Sequence, residues 1–518
     1  MCLNLEGSYL ATFTSDVIWD NSFSGTINQK GYHIVSFLSD DGGVTWYGKY
    51  FGRFKNYNSI TKMFTNLFSM IFLGFLNSKG DLYVAGSNSK NFFGNKEVTG
   101  YDTFTKIASN VVDFKNCFLA GLGSDAGYIT KNKELYLCGS NNYGEIGSGD
   151  FNEVETFVKV ADNVKDFIIC DYITWYLTEN NELYCSGNNN YGQQGTGASN
   201  FRVKTNTFAK VAENVKEILT PHAFSYPTFH YMSLDDCVYC TGSIERGAGV
   251  QYGNYNHVVE FTKSIENLNK LYLTAQVTAY INTANNFYMA GYNNYGQQGD
   301  GTTTAVKCYT QRASNVKEAR ISSDTSWYLT LDGDLYGCGK NNYGQQGSGT
   351  SGSSAYVTSF TKRASNVKTI TYSNSRIDTS YNDEISWYID NNDDLYLCGM
   401  GTSGLQASGE LSNVTSFTKR ASNVAKFYLF APSAFYITND NVLYGFGKNQ
   451  YGEVDTTNNK QIVTSPIKIL EGVKHVIHAT DVLIVEMLDG EILGRGANTV
   501  YELGIGEIQP VNDFVIIG

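Results

Sequence analysis

Proline and charged residues are both scarce in this sequence. Only 5 of the 518 residues are proline, against 52 glycines, and charged residues make up 17 % of the chain. Many glycines with few prolines fit a chain that has many tight turns and few disordered linkers. The formal net charge of −12, without a run of like charge, argues against a nucleic-acid partner, because a basic surface must hold the phosphates of such a partner.

Long apolar segments are also missing. The longest, residues 67–76, contains Ser69 and Gly74 and is too short to span a bilayer. Residues 1–20 lack the basic start and the uninterrupted apolar core of a secretory signal. We therefore expect no membrane insertion, and a cytoplasmic or virion-associated location.

What the sequence does contain is a repeat. Residues 326–347 read SWYLTLDGDLYGCGKNNYGQQG, in which an alternating strand, the turn Asp332-Gly333, a return strand and a polar loop follow one another. Similar windows stand at residues 176–195 and 388–399. The glycine that closes the return strand recurs at intervals of 48 to 60 residues, at Gly86, Gly139, Gly187, Gly242, Gly291, Gly339, Gly399, Gly447 and Gly496. A repeat of this length, rich in strands and turns, indicates a radial array or a solenoid.

A second landmark, FTKxASNV, precedes the windows. It stands at residues 104–111, 360–367 and 417–424, and variants of it stand at 157–164, 208–215 and 261–268. The residues that follow it can form another short strand. Each unit therefore has three or four strands, which is enough for one blade of a β-propeller.

The ten cysteines do not have the spacing of a disulfide framework. Cys138, Cys338 and Cys398 hold one position of the repeat, at which other units carry serine, threonine or alanine. Such a position is small and buried. Cysteines on separate blades would also be too far apart to bridge. We therefore expect free thiols, either in a reducing compartment or buried outside one.

The two ends of the chain depart from the repeat. Residues 1–30 do not match it, and we predict an irregular segment that could serve as a docking arm. Residues 33–46 match the hairpin of the repeat, and residues 39–46 also resemble the Asp box of sialidases and sortilin-type propellers. Residues 511–518 look like a leading strand without its hairpin, so we expect them to complete one blade with the hairpin at 33–46.

The runs LYxCG, NNYGQQG and DGDLY resemble repeats of the regulator of chromosome condensation family, over about residues 51–506. The resemblance implies a β-propeller. The founding member has seven blades, and this chain has too many motifs for seven. We therefore expect an all-β chain in which residues 31–518 form a single closed β-propeller of about ten four-stranded blades, closed by the N- and C-terminal strands. Two smaller propellers, or a seven-bladed ring with extra blades, are the alternatives.

The family's founding member is a nucleotide exchange factor for a small GTPase and a chromatin binder. Its basic N-terminal tail is absent here, and its inserted wedge has no evident counterpart. A glycosidase would need two facing carboxylates, whereas the acids of this chain fall mainly on hairpin turns. Cys237 and Cys240 stand alone at CxxC spacing, and the six histidines are scattered, so we expect no metal, no cofactor and no catalysis.

The Asn-Asn-Tyr-Gly loops allow two interpretations. They could form a belt of amide and aromatic groups that binds glycan or protein, or they could be tight turns whose tyrosines wedge between blades. Repetition in so many units favours the second interpretation. Loops that depart from a rigid scaffold are better candidates for function. Three irregular segments qualify, at residues 220–230, 242–256 and 373–384. The candidate partner-binding residues in them are Phe224, Tyr226, Arg246, Tyr252, Tyr255, Arg376 and Tyr381.

These observations lead to an expectation about function. We expect a non-catalytic binding or assembly propeller with a protein or glycan partner, such as a surface-attachment protein or a decoration or receptor-binding protein of a virion that assembles into a larger particle. The alternative is an intracellular guanine-nucleotide exchange factor or a signalling scaffold.

Overall fold

The computed structural model describes strands within residues 1–54 and most of the chain from residue 60 onward. The residues that it leaves undescribed are those between the strands of 1–54, and 55–59, 66–71, 90, 120–122, 171, 198–202, 220–227, 244–256, 275, 353–354, 371–383, 431, 457–460, 502, 507 and 518.

The N-terminal region has a topology of its own. Its strands are β1 (Cys2–Leu5), β2 (Ala11–Thr12), β3 (Val17–Trp19), β4 (Thr26–Ile27), β5 (Gly31–Leu38) and β6 (Trp46–Phe54). Four of them form a sheet in the order β1-β5-β6-β3, in which β3 runs parallel to β6, and β2 pairs with β4. The predicted hairpin is therefore confirmed as β5 and β6, which are antiparallel. The residues 39–45 that resemble an Asp box lie outside the described residues.

The described residues beyond 60 form nine four-stranded antiparallel sheets, each in chain order, which are the blades of a β-propeller. Blades 1 to 3 contain β7 (Ile60–Thr65), β8 (Phe72–Asn77), β9 (Leu82–Ser87), β10 (Gly100–Ala108); β11 (Val111–Leu119), β12 (Gly123–Thr130), β13 (Leu135–Gly139), β14 (Val154–Ala161); and β15 (Val164–Cys170), β16 (Ile173–Thr178), β17 (Leu183–Gly187), β18 (Thr205–Ala212).

Blades 4 to 6 contain β19 (Val215–Leu219), β20 (Thr228–Ser233), β21 (Val238–Ser243), β22 (His257–Ile265); β23 (Leu268–Leu273), β24 (Val277–Asn282), β25 (Phe287–Gly291), β26 (Val306–Ala313); and β27 (Val316–Ile321), β28 (Thr325–Thr330), β29 (Leu335–Lys340), β30 (Tyr356–Ala364). Blades 7 to 9 contain β31 (Val367–Thr369), β32 (Ile385–Asp390), β33 (Leu395–Gly399), β34 (Val414–Ala421); β35 (Val424–Phe430), β36 (Ser433–Thr438), β37 (Val442–Lys448), β38 (Ile462–Glu471); and β39 (Val473–Thr480), β40 (Val482–Met487), β41 (Ile492–Gly496), β42 (Val511–Ile516).

The position of the last strand corrects the predicted closure. Strand β42 pairs with β41, with Val511 opposite Gly496, whereas β5 pairs with β1 and β6. The tail is therefore the fourth strand of blade 9 and lends nothing to the N-terminal hairpin. The prediction was wrong because first and fourth strands have similar short apolar patterns, and the tenth blade that it implied is not among the described sheets.

Blade 9 contacts blade 1 in the way that successive blades contact each other. The N–H of Gly506 donates to the carbonyl of Asp102 at 2.8 Å, and Gly504 lies against the ring of Phe104. Between blades 5 and 6, Gly301 donates to Thr358 at 2.8 Å in the same manner. A shared core of buried side chains, including Phe75, also spans blades 9 and 1.

Blades 2 to 8 share a pair of stacked aromatic side chains. In each of them a tyrosine of the second strand stacks on one of the third, as Tyr176 does on Tyr184 at 4.9 Å and Tyr328 on Tyr336 at 4.8 Å between ring centroids. Trp327 is 1 % exposed and belongs to the same buried core cluster as Tyr388 of blade 7. This arrangement accounts for many of the tyrosines as packing residues.

The FTKxASNV landmark is explained by its asparagine. This residue stands between the fourth strand of one blade and the first strand of the next and adopts a left-handed backbone, with φ of 62° at Asn315 and 61° at Asn366. Asparagine tolerates this conformation better than other residues with a side chain, apart from aspartate. Its carbonyl also accepts a backbone hydrogen bond. The carbonyl of Asn315, for example, accepts the N–H of Leu331 in blade 6 at 2.9 Å.

Within a blade, the first strand lies nearest the propeller axis and the fourth strand lies at the rim. First strands of neighbouring blades contact one another, as β11 contacts β15, while the fourth strand β14 is the more exposed edge. Lysines on these edges, such as Lys159 and Lys362, pair with acids of the adjacent turn. Charged lysines on an open edge discourage pairing with another sheet.

Candidate functional site

The strand order gives the propeller two different faces. The connections from first to second strand and from third to fourth strand leave from one face, which we call the loop face. The hairpins between second and third strands, and the links between blades, form the opposite face, which we call the hairpin face.

All three irregular segments start and end on the loop face. One lies between β19 and β20, one between β21 and β22, and one between β31 and β32. The predicted residues lie within these segments and outside the described residues, namely Phe224, Tyr226, Arg246, Tyr252, Tyr255, Arg376 and Tyr381. Their segments therefore share a face, and two of the three belong to blade 4.

The repeated loops on this face are held by their first asparagine. Asn141 is fully buried, and its Oδ1 accepts the N–H of Ile146 at 2.9 Å. Its Nδ2 donates to the Oγ of Ser148 at 2.9 Å and to the carbonyl of Asp150 at 3.0 Å. The same bond across five residues is made by Asn88, Asn189, Asn293, Asn341, Asn449 and Asn498. The side-chain amides of these asparagines are therefore engaged in hydrogen bonds that close the loop.

The loop tyrosines pack between blades. Tyr143 of blade 2 lies 4.6 Å from Tyr172 of blade 3, and Tyr295 of blade 5 lies 5.3 Å from Tyr356 of blade 6, between ring centroids. These tyrosines are half-buried. The interpretation of the loops as turns whose tyrosines wedge between blades is therefore confirmed at these positions.

Two loops carry a buried acid where others carry glutamine, namely Glu145 in blade 2 and Glu453 in blade 8. In blade 5, Gln297 accepts the N–H of Tyr295 and donates from Nε2 to the carbonyl of Ser323 in blade 6 at 2.8 Å. In blade 2, Glu145 accepts the N–H of Tyr143 at 2.8 Å, and its second oxygen has no hydrogen-bond partner among the described residues. A protonated carboxyl can donate from that oxygen as the amide of glutamine does.

The surroundings of Glu145 favour the protonated form. Burial raises the pKa of Glu145, and burial together with the neighbouring Glu145 raises the pKa of Asp125. Both residues are nearly inaccessible, with 0 % and 3 % of their surfaces exposed. A pair enclosed in this way presents no group to a substrate.

Where the cysteine position of the repeat carries cysteine, serine or threonine, the side chain donates a hydrogen bond to the preceding blade. Sγ of Cys138 donates to the carbonyl of Asn91 in the preceding blade at 3.4 Å. Ser186 makes the equivalent bond to the carbonyl of Gly144 at 2.7 Å. The sequence predicted a small buried site correctly but missed the bond that cysteine, serine and threonine share. Burial raises the pKa of Cys138, so this thiol is neutral and unreactive.

The CxxC pair and one of the histidines lie in the interior of blade 4. Cys237 and Cys240 are buried, and burial raises the pKa of Cys240 to about 12. His230 is fully buried, and burial lowers its pKa to about 4, so its ring is neutral. No group of three or more histidines, cysteines or acids that could hold a metal occurs in the part of the chain that the structure describes.

A charged group that sequence reasoning missed lies on the loop face beside one irregular segment. The ammonium of Lys340 lies 2.8 Å from Asp324, and these two side chains are only 19 % and 18 % exposed. Lys340 also lies 5.3 Å from the ring centroid of Tyr295. Glu384, which directly follows residues 371–383, has a pKa raised by burial and lowered in part by Lys340. These residues look like ordinary turn residues in the sequence, so no pattern could have singled them out.

This strand arrangement defines a β-propeller with repeated four-stranded blades. No protein-family model matches the chain, and no curated protein matches it either. Among solved structures, Prp20p of Saccharomyces cerevisiae is 16 % identical over 68 % of this chain and 88 % of its own, with a TM-score of 0.41. Human WBSCR16 is 15 % identical over 61 % and 85 %, with a TM-score of 0.41. Hsv2 of Kluyveromyces lactis is 10 % identical over 70 % and 98 %, with a TM-score of 0.30. Our fold assignment therefore rests on the strand order. The described part of the chain contains no helix long and apolar enough to cross a membrane.

Proposed function

We propose that this protein is a non-catalytic binding propeller whose loop face holds a protein partner. The observation that carries the proposal is the common origin of the three irregular segments on that face. The repeated polar groups there are used in loop closure and blade packing, so the departures from the repeat are what can distinguish one partner from another.

The charged group beside one of these segments supports the same face. Lys340, Asp324 and Glu384 gather between blades 6 and 7 next to the segment that carries Arg376 and Tyr381. Partly desolvated charges give an interface specificity, because a partner must match them in sign and position.

A nucleotide-exchange function is the alternative that the experiment below must distinguish from binding alone. Prp20p has binding properties to Gsp1p and histones, and yeast RCC1 has been seen bound to Kap60. The attachment, virion and glycan roles that the composition suggested stay predictions.

Photo-cross-linking tests the proposal. A photoreactive phenylalanine analogue replaces Tyr252 or Tyr381 on the loop side, and Leu331 or Asn439 on the hairpin face as matched controls. We expect a discrete protein adduct, formed in extracts of the source cells, from the first two positions and not from the controls. Adducts of equal yield from both faces, or from the hairpin face alone, would contradict the proposal.

The same adduct separates the alternatives. If the cross-linked partner is a GTPase and the protein accelerates release of its bound nucleotide, the exchange-factor function replaces a purely binding one. If the protein releases sugar from mucin-type substrates, it is an enzyme, and the non-catalytic proposal fails.

A further inference from the structure

Three consecutive blades carry an arginine at a β-bulge of the fourth strand. These are Arg312, Arg363 and Arg420 of blades 5, 6 and 7. In each, the register skips one residue, as between the pairs Tyr336–Lys362 and Leu335–Ala364, so the arginine is the extra residue. A bulge turns its extra side chain away from the regular alternation, and bulges are enriched next to functional sites.

The arginine of blade 5 has a carboxylate partner. A guanidinium nitrogen of Arg312 lies 3.6 Å from Asp300, in the loop of the same blade, and these side chains are 8 % and 20 % exposed. Nη2 of Arg312 also lies 3.5 Å from the Oε1 of Gln298. Within blade 5, the positive charge is therefore compensated.

In blades 6 and 7 the carboxylate is replaced by a hydroxyl. Ser348 and Ser408 stand at the loop position of Asp300. Arg363 and Arg420 form no ion pair with a carboxylate among the described residues, whereas Arg312 forms one with Asp300. The buried Nε lacks a hydrogen-bond partner among the described residues in all three arginines, so the missing carboxylate is what distinguishes blades 6 and 7.

The glutamines of the same two loops lack the bond that Gln298 makes. Gln346 and Gln406 are fully buried, and their Oε1 atoms have no partner among the described residues. In blade 5 the equivalent oxygen faces the guanidinium of Arg312. Two of the three arginine sites are therefore incomplete in the same way.

A partly buried arginine without a carboxylate partner is stabilised when an anion binds to it. Its guanidinium keeps its charge at any physiological pH, so it cannot relieve a desolvated environment by losing a proton. Arg363 lies near Cys338 and Cys398, but burial raises the pKa of both thiols, which are neutral and cannot compensate the charge.

We propose that Arg363 and Arg420 are a pair of carboxylate-binding sites, in which a carboxylate of the ligand takes the position that the side chain of Asp300 occupies in blade 5. The planar guanidinium donates two parallel hydrogen bonds to a carboxylate, and in the bound state it also donates to the Oε1 of Gln346 or Gln406. Because the sites lie in adjacent blades, they suit a ligand with more than one carboxylate. The acidic segment of a partner protein and a free polycarboxylate both have this chemistry. The proposal does not depend on the loop-face partner proposed above.

Fluorescence anisotropy with a labelled oligoglutamate peptide tests the sites. The test variant is Arg363→Gln with Arg420→Gln. Its matched control is Lys362→Gln with Lys419→Gln, which removes the same charge from the neighbouring residues of the same strands. We expect the arginine variant to bind at least about tenfold more weakly, since each lost charge-assisted hydrogen bond is worth that much. We expect the lysine variant to bind like the original chain. Equal losses in both variants, or undiminished binding in the arginine variant, would overturn the proposal, as would the absence of peptide and citrate binding by the original chain.

Competition by citrate distinguishes the two sources of the carboxylate. If citrate displaces the peptide, and binds the original chain but not the arginine variant, the sites serve a free carboxylate. If the peptide binds and citrate does not compete, they serve an acidic protein segment.

A second double variant lets the protein itself supply the missing carboxylates. Ser348→Asp with Ser408→Asp supplies the carboxylate that blade 5 already has. We expect this variant to melt at a higher temperature than the original chain and to lose the peptide. Retention of full peptide binding by this folded variant would overturn the assignment.

Discussion

Asn141 offers the sharpest test of the conclusion that the repeated loops serve structure. Asn141→Ala removes two hydrogen bonds donated by Nδ2, to Ser148 at 2.9 Å and to Asp150 at 3.0 Å. It also leaves the fully buried Ile146 with an N–H that has lost its acceptor. Two lost bonds and one unsatisfied buried donor together cost about 2–4 kcal/mol in free energy of unfolding.

The neighbouring asparagine is the control for this prediction. Asn142 belongs to the same loop but is exposed to solvent. We expect Asn142→Ala to change the free energy of unfolding by less than about 0.5 kcal/mol. Urea unfolding followed by tryptophan fluorescence measures both variants. If Asn142→Ala costs as much as Asn141→Ala, or if neither has an effect, the loops are not held in the way described here.

Three further predictions concern single buried positions. Because burial raises the pKa of Glu145 and Asp125, these carboxyls lose their protons at lower pH in the unfolded chain than in the folded protein. The stability that these two groups contribute is therefore fully present below pH about 4 and is lost as the pH rises. Glu145→Gln should flatten the dependence of the melting temperature on pH, and parallel curves for the two proteins would contradict the assignment. Cys338→Ser should lower the free energy of unfolding by less than about 1.5 kcal/mol, because serine can donate the same hydrogen bond. Cys338→Leu should lower it by about 1–3 kcal/mol, because the larger side chain overpacks the site. Urea unfolding measures both variants, and a reversed order would refute the donor role. Gly339 has φ +107, and a Cβ there would press on the carbonyl oxygen of Asp324. Gly339→Ala should therefore lower the free energy of unfolding by at least about 2 kcal/mol. An unchanged urea midpoint would contradict this prediction and show that the turn can relax.

The repeating elements could be predicted from the sequence because each is specified locally. The strand, turn and return strand of residues 326–347 follow from alternation and from Asp332-Gly333, and the structure has them as β28 and β29. Such features need no knowledge of the partner strand.

Features that depend on a partner in space could not be predicted. The role of β42 depends on which strand it pairs with, and its sequence fits a first strand as well as a fourth. The bond from Cys138 to the preceding blade, and the missing partner of Arg363, become visible only when the blades stand beside one another. The irregular segments were recognisable as departures from the repeat, but their common face follows from the strand order.

The central claim is that the blades follow one another in sequence and that the ninth packs against the first. Thr103 of blade 1 and Ile505 of blade 9 form an isolated antiparallel bridge, as Asp300 and Ser359 do between blades 5 and 6. Two residues in such a bridge are close enough for a disulfide. Under mild oxidation we expect Thr103→Cys with Ile505→Cys to cross-link as readily as Asp300→Cys with Ser359→Cys, and to change gel mobility on reduction. If the second pair cross-links and the first does not, the two ends of the blade series do not meet.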